Sequence, residues 1–181
     1  MKLLKIERFD RCECTLIANM SSSITHDLLI LGSSGSGKTS FITKATSQLL
    51  DFPDTIDFNP IDTNGAEDHP HRILAHPALH TAKAVIVIFD LTDTSSFTQA
   101  VAYCNVAKAM YSELPVVLVG NKTDLTTVKR VPIVDISHQL LTWSVQAIPI
   151  MYYNISVMTG QDFEKPLIHL ASLMGDADLL P

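Results

Sequence analysis

The sequence has little of what usually announces a compartment or a bulk partner. It carries only three cysteines in 181 residues. Cys12 and Cys14 are too close for an ordinary bridge, so a disulfide framework is excluded and a reduced, intracellular setting, cytoplasmic or nuclear, is expected. Cys12-Glu13-Cys14 has no second Cys or His pair beside it, which argues against a zinc site. Charge is sparse, at 18% of residues, and the balance is −6. The few basic residues are scattered, so wholesale binding to nucleic acid or to an anionic membrane is excluded, though a local basic pocket is not. No apolar run approaches the roughly 20 residues of a membrane span. Lys5, Glu7, Arg8, Asp10, Arg11 and Glu13 stand where a signal peptide needs an apolar stretch. Lys2 removes N-myristoylation, and Asp178-Leu179-Leu180-Pro181 offers no prenylation cysteine, so no membrane anchor is expected.

What is present is an apolar content of 46%, enough for one domain with a real core. Residues 2–18 alternate loosely in polarity, which suggests strands, and Asn19 to Ser23 reads as a polar linker. Strands are expected over 24–31, Thr55 to Ile61, Ala84 to Phe89, Val116 to Val119 and Ile150 to Ile155. Helices are expected over Thr39 to about Leu50, Ser95 to Ser112, Asp135 to Trp143 and Phe163 to Leu173, with Glu67 to Ala82 irregular or helical. Phe41, Ile42, Ala45 and Leu49 would form the apolar stripe of the first helix. Trp143 and the Leu/Ile residues of 135–150 read as core. The alternation predicts an α/β fold with a mostly parallel sheet covered by helices on both faces, and ligands at the carboxyl ends of its strands.

Gly32-Ser33-Ser34-Gly35-Ser36-Gly37-Lys38-Thr39 follows the first of these strands and opens the first helix. The spacing G-x-x-x-x-G-K-T is that of a phosphate-binding loop. Its glycines let backbone N–H groups turn inward toward phosphate oxygens, and the helix N-terminus adds a positive dipole end. The phosphate cradle is expected from Ser34, Gly35, Ser36, Gly37, Lys38, Thr39 and Ser40, with Lys38 on the terminal phosphates and the Thr39 hydroxyl on Mg²⁺. Asp62-Thr63-Asn64-Gly65 closes a later strand; its carboxylate could hold Mg²⁺ through water and the Gly65 N–H could meet a γ-phosphate. Asn121-Lys122-Thr123-Asp124 follows another strand. Asp124 can accept two N–H bonds from a guanine edge, a donor pair adenine lacks. The Lys122 stem can lie on a base, and Asn121 can tie this loop to the phosphate loop.

These three motifs, in this order, resemble those of Ras-superfamily small GTPases. The tail, Met151-Tyr152-Tyr153-Asn154-Ile155-Ser156, Asp162-Phe163-Glu164-Lys165-Pro166-Leu167 and Leu173-Met174-Gly175-Asp176, is similar to the Ran branch, as is Pro115-Val116-Val117-Leu118. The likeness covers roughly residues 24–180. It implies a P-loop NTPase G domain at 24–181 behind an N-terminal extension at 1–23, with GTP or GDP and Mg²⁺ as ligands. It also implies base contacts at Ser156, Val157 and Met158, and protein partners of the kind Ran uses, regulators or transport factors.

The departures from that pattern are physical. Only 23 residues, Thr39 to Ile61, separate Lys38 from Asp62. A helix of roughly 18 Å and a returning strand of roughly 23 Å use nearly all of them. Only Asp51 to Asp54 remain, so the switch I loop and one edge strand are expected to be absent. Residues 1–20 could take the edge strand's place or form a tail. Ala66 stands where the family has a water-orienting glutamine and cannot hydrogen-bond a water through its side chain. Glu67, Asp68 or His69 could substitute only by unusual geometry. Ser156-Val157-Met158 replaces S-A-K: the Val157 N–H could still meet the guanine carbonyl, while Met158 could pack on the base without charge. Ser34 replaces a glycine of Ras and Ran. His69, His71, His76 and His80 read as solvated histidines, with Pro77 between the last two spoiling a helix interior. The combination predicts a guanine-nucleotide binder with impaired switching and weak hydrolysis. The alternative is a pseudo-GTPase serving as an interaction platform. A P-loop kinase or ATPase is disfavoured by Asn121 to Asp124.

Overall fold

Strands joined by helices build one five-stranded sheet, every pair parallel. The structure is a computed structural model that describes residues 25–48, 57–62, 77–128 and 130–177. In chain order the elements are β1 (Thr25–Leu31), α1 (Lys38–Gln48), β2 (Asp57–Asp62), α2 (Pro77–Thr81), β3 (Ala84–Asp90), α3 (Thr94–Met110), β4 (Val116–Asn121), α4 (Ile133–Val145), β5 (Ile150–Asn154) and α5 (Lys165–Ala177). The sheet order is β2-β1-β3-β4-β5. The order reverses between β1 and β3, and the crevice at such a switch point is where open parallel sheets bind ligands.

The side-chain period of two sorts the strands into two cores. Leu29, Leu31, Val85, Val87, Phe89, Val116 and Leu118 pack against α3 and α4. Leu28, Ile30, Ala84, Ile86, Ile88, Val117 and Val119 pack against α1 and α5. A strand buried on both faces must read as a continuous apolar run, and Ala84 to Phe89 does. Asp93 caps α3, its Oδ1 accepting from the Ser95 N–H at 2.8 Å.

The expected α/β architecture holds, with element ends shifted by at most four residues. The apolar stripe of α1 is borne out at Phe41 and Ala45, both buried, with Ile42 packed beside them; Leu49 lies outside the described residues. The expected four-residue turn between the first helix and the returning strand is corrected. Because α1 ends at Gln48 and β2 begins at Asp57, residues 49–56 connect them. Pro77 does not interrupt a helix but opens α2, the position where its missing N–H costs nothing. Trp143 is core, its Nε1 donating to Asn105 Oδ1 at 2.7 Å, but Leu141 is 62% exposed, against expectation. It falls on the far side of α4 from Ile136 and Trp143. The proposed pairing partners in 1–20, Thr55, and residues 63–76, including Gly65, Ala66, Glu67, Asp68, His69, His71 and His76, lie outside the described residues.

Candidate functional site

The chain turns out of β1 at Gly32, whose φ is +147°. A Cβ there would lie closer than 3.0 Å to the Ile88 carbonyl oxygen, so β3 leaves room for hydrogen only. Gly37, at φ +102°, has its own obstruction in the Asn121 amide. Gly35, at φ +75°, differs: a Cβ there would meet nothing within 4 Å, because the loop opens onto empty space at that point. Lys38 is buried and folds back over the loop, its Nζ donating to the carbonyls of Gly32 at 2.9 Å and Ser33 at 3.0 Å. The first turn of α1 aims its N–H groups at the same space. The Ser36 hydroxyl is fully buried with no hydrogen-bond partner among the described residues, so Ser36 enters the site through its backbone.

A second loop leaves β4 through Lys122, a lysine held at φ +72°. Asn121 straps the loops together as expected, its Nδ2 donating to the Ser36 carbonyl at 2.9 Å. Its Oδ1 accepts from the N–H groups of Lys122 at 2.8 Å and Val157 at 3.1 Å. The Val157 N–H, expected at a guanine carbonyl, donates here to Asn121. Asp124 is held by Ser156, whose hydroxyl donates to its Oδ1 at 2.5 Å. Arg130 donates to the Leu125 carbonyl at 3.2 Å and to that of Thr123, bracing the loop from below.

Gly35, Gly37, Thr39, Ser40, Asn121, Lys122, Asp124, Val157 and Met158 come together around one cavity of about 830 Å³. Ser34 is exposed at its margin, and Ser156 is buried behind Asp124. Asp62 ends β2 beside Ile30, at the same edge of the sheet. The Thr39 hydroxyl at the cavity wall is an oxygen donor of the kind Mg²⁺ takes alongside phosphates and water. The open space at Gly35 and the inward N–H groups fit a phosphate chain.

Sequence reading missed the residues that join the two loops from beneath. Asp90, the last residue of β3, accepts from Lys122 Nζ at 2.6 Å and from the Thr92 N–H and hydroxyl at 2.8 and 2.7 Å. The Ser96 hydroxyl accepts from the Asp90 N–H at 2.9 Å and lies 2.7 Å from Ser33 Oγ in the phosphate loop. The signal was available, since a carboxylate at the carboxyl end of the central strand sits where ligands bind. Lys44 adds a further tie from α1, donating to the Val157 carbonyl at 2.7 Å and lying 5.6 Å over the Phe163 ring.

Burial would raise the Asp90 carboxyl, but the hydrogen bonds from Lys122 and Thr92 and the Lys122 charge outweigh it and hold it below the usual aspartate range. A lowered folded value stabilises above the unfolded pKa near 4, and the contribution disappears as pH falls through the folded one. Asp90→Asn is therefore expected to cost about 1–2 kcal/mol at neutral pH. The gap from wild type should shrink below about pH 4, where the wild-type carboxyl also protonates. Urea unfolding at the two pH values checks this; a gap independent of pH would show that the charge is not what matters.

Comparisons with known proteins follow the same lines. The family description "Ras family" matches residues 50–175. Ras-related protein ralB-A of Xenopus laevis is 25% identical over 173 residues, covering 84% of this chain and 80% of its own. Ras-related protein O-RAL of Diplobatis ommata is 27% identical over the same shares. EF-hand calcium-binding domain-containing protein 4B of Homo sapiens is 30% identical over 118 residues, which are 65% of this chain and 15% of that one.

Proposed function

We propose, on the premise that the chain belongs to the Ras family, that it holds GDP and GTP with nearly equal affinity, switches poorly between them and hydrolyses GTP slowly. Membership itself makes it a GTP-binding small G protein in the general sense. The finer reading rests on which parts of the site are built. One observation carries it: Asn121 ties the phosphate loop, the base loop and the Val157 turn into a single unit around the cavity. Nucleotide binding needs that unit, with Lys38 and Thr39 at the phosphates, Asp124 and Lys122 at the base and Met158 packed over it.

Distinguishing the two nucleotides needs more. A ligand pair that meets the same contacts in both states cannot shift an equilibrium. The chain from Thr39 to Ile61 is short of the length a γ-phosphate-sensing loop takes in addition to α1 and β2. Ala66, at the position of the water-orienting glutamine, supports slow hydrolysis. The same residue favours the second reading, an interaction platform in which nucleotide is structural or absent. The Ran-like wording of Tyr152 to Ser156 supports Ran-type regulators or transport factors as partners; relatives at about a quarter identity do not select a branch.

The test is titration of stripped protein with fluorescent GDP, GTP and ATP in Mg²⁺. Sub-micromolar guanine binding is expected, with GDP and GTP within about threefold and ATP weaker by about 100-fold or more. A strong preference for GTP would reject the impaired switch. Absence of guanine binding would reject the first reading in favour of the platform. A single-turnover rate like that of ordinary small GTPases would reject slow hydrolysis.

A further inference from the structure

Helix α4 is apolar on two opposite faces, whereas a surface helix needs only one. Ile136 and Trp143 face the core. Val134, Leu141 and Val145 are 69%, 62% and 80% exposed on the other side. With the exposed His138 they fall at 134, 138, 141 and 145, an alternation of four and three that keeps a seam on one side of a helix over roughly 16 Å. We propose that this seam packs against the same seam of a second copy, antiparallel, as a weak homodimer.

Three observations select that occupant. The first is charge. Helix α4 carries a single charged residue, the exposed Asp135 beside Val134, and from Ile136 to Gln161 the chain has no Lys, Arg, Asp or Glu, only His138. A helix without basic residues does not fit an anionic membrane or nucleic acid, and one with a single carboxylate in its first turn offers little to a charged peptide. It fits a partner surface that is also nearly uncharged. The second is symmetry. An interface about a two-fold axis must be complementary to itself. Read antiparallel, the seam places Val134 against Val145 of the other copy at both ends and His138 against Leu141 at both inner positions. Small side chains at Ser137, Thr142 and Ser144 flank it and let two helices approach. The third is size. One helix face buries less than the roughly 1,200 Å² of a stable standard interface, so the dimer should dissociate in the micromolar range.

Sedimentation velocity of the full chain from about 1 to about 200 μM reads the self-association directly. A shift from monomer to dimer across that range is expected. Leu141→Glu with Val145→Glu should leave a monomer throughout, with guanine-nucleotide affinity unchanged because α4 does not line the cavity. Ile168→Glu, at an exposed apolar site on α5, should leave the dimer intact. Oxidising a mixture of Val134→Cys and Val145→Cys proteins should give mainly the mixed cross-linked pair, against the parent protein as background. A wild type monomeric at every concentration, a dimer that survives the double glutamate change, or dominance of the Val134→Cys homodimer would each overturn the proposal. Recovery of the wild type on neutral vesicles with no dimer in solution would assign the seam to a lipid surface and overturn it as well.

Discussion

Gly32→Ala is expected to cost about 4 kcal/mol or more, enough to unfold a domain of ordinary stability. Two effects add. The φ of +147° is one that L side chains rarely adopt, which costs about 1–2 kcal/mol for a residue with a Cβ. The larger effect is steric. The new methyl would press on the Ile88 carbonyl, at less than the closest distance real Cβ atoms show. Ile88 cannot give way, because it is buried in the middle of β3 and paired in register with Val119 of β4. A side chain in that position could rotate aside, but a central backbone carbonyl cannot. Gly35→Ala is the internal comparison. Its φ of +75° is also left-handed, yet a Cβ there meets nothing within 4 Å. It should cost only the conformational share, about 1–2 kcal/mol. Urea unfolding of the nucleotide-free proteins separates the two. Equal losses would mean that backbone conformation alone demands glycine at 32 and that the close approach to β3 is not real.

That pair also shows what could be read from the residues alone. Spacing identified the loop, because turn glycines at fixed offsets between an apolar run and a helix are a local pattern. It could not rank the glycines, because the obstruction to Gly32 comes from Ile88 and that to Gly37 from Asn121, residues far along the chain. The central strands were legible for a similar reason: burial on both faces leaves no polar residue in Ala84 to Phe89. Leu141 was misread because hydrophobicity marks a buried face only when a helix has one apolar face, and α4 has two. The place of Asp90 at the carboxyl end of a central strand was legible, but its role was not, because it lies in what Asp90 meets: Lys122, from 32 residues on, and no window of sequence holds both. The strap from Asn121 to Ser36 was expected from the order of the motifs, but its second use, taking up the Val157 N–H, came only with the turn that brings Val157 beneath it.

Asp124→Ala is expected to lower GDP affinity by about 100- to 10,000-fold while changing the stability of the nucleotide-free protein by less than about 1 kcal/mol. The carboxylate has one oxygen engaged by Ser156 and stands at the wall of the cavity, half exposed. In the free protein water can replace its outer contacts, so its loss costs little. With guanine bound, two N–H donors of the base would lose a charged acceptor in a place closed to water, at about 1.5–3 kcal/mol for each bond. ATP should be almost indifferent, since adenine never offered that pair of donors. The decisive reading is thus the GDP-to-ATP affinity ratio rather than GDP affinity alone, because damage to the phosphate loop would weaken both together. Ser156→Ala should follow in the same direction but by only about 10-fold, since it releases the carboxylate to move without removing it. A Asp124→Ala protein that still binds GDP within about threefold of wild type would mean that the base is read elsewhere, and would turn the cavity between Lys122 and Met158 into a site for some other ligand.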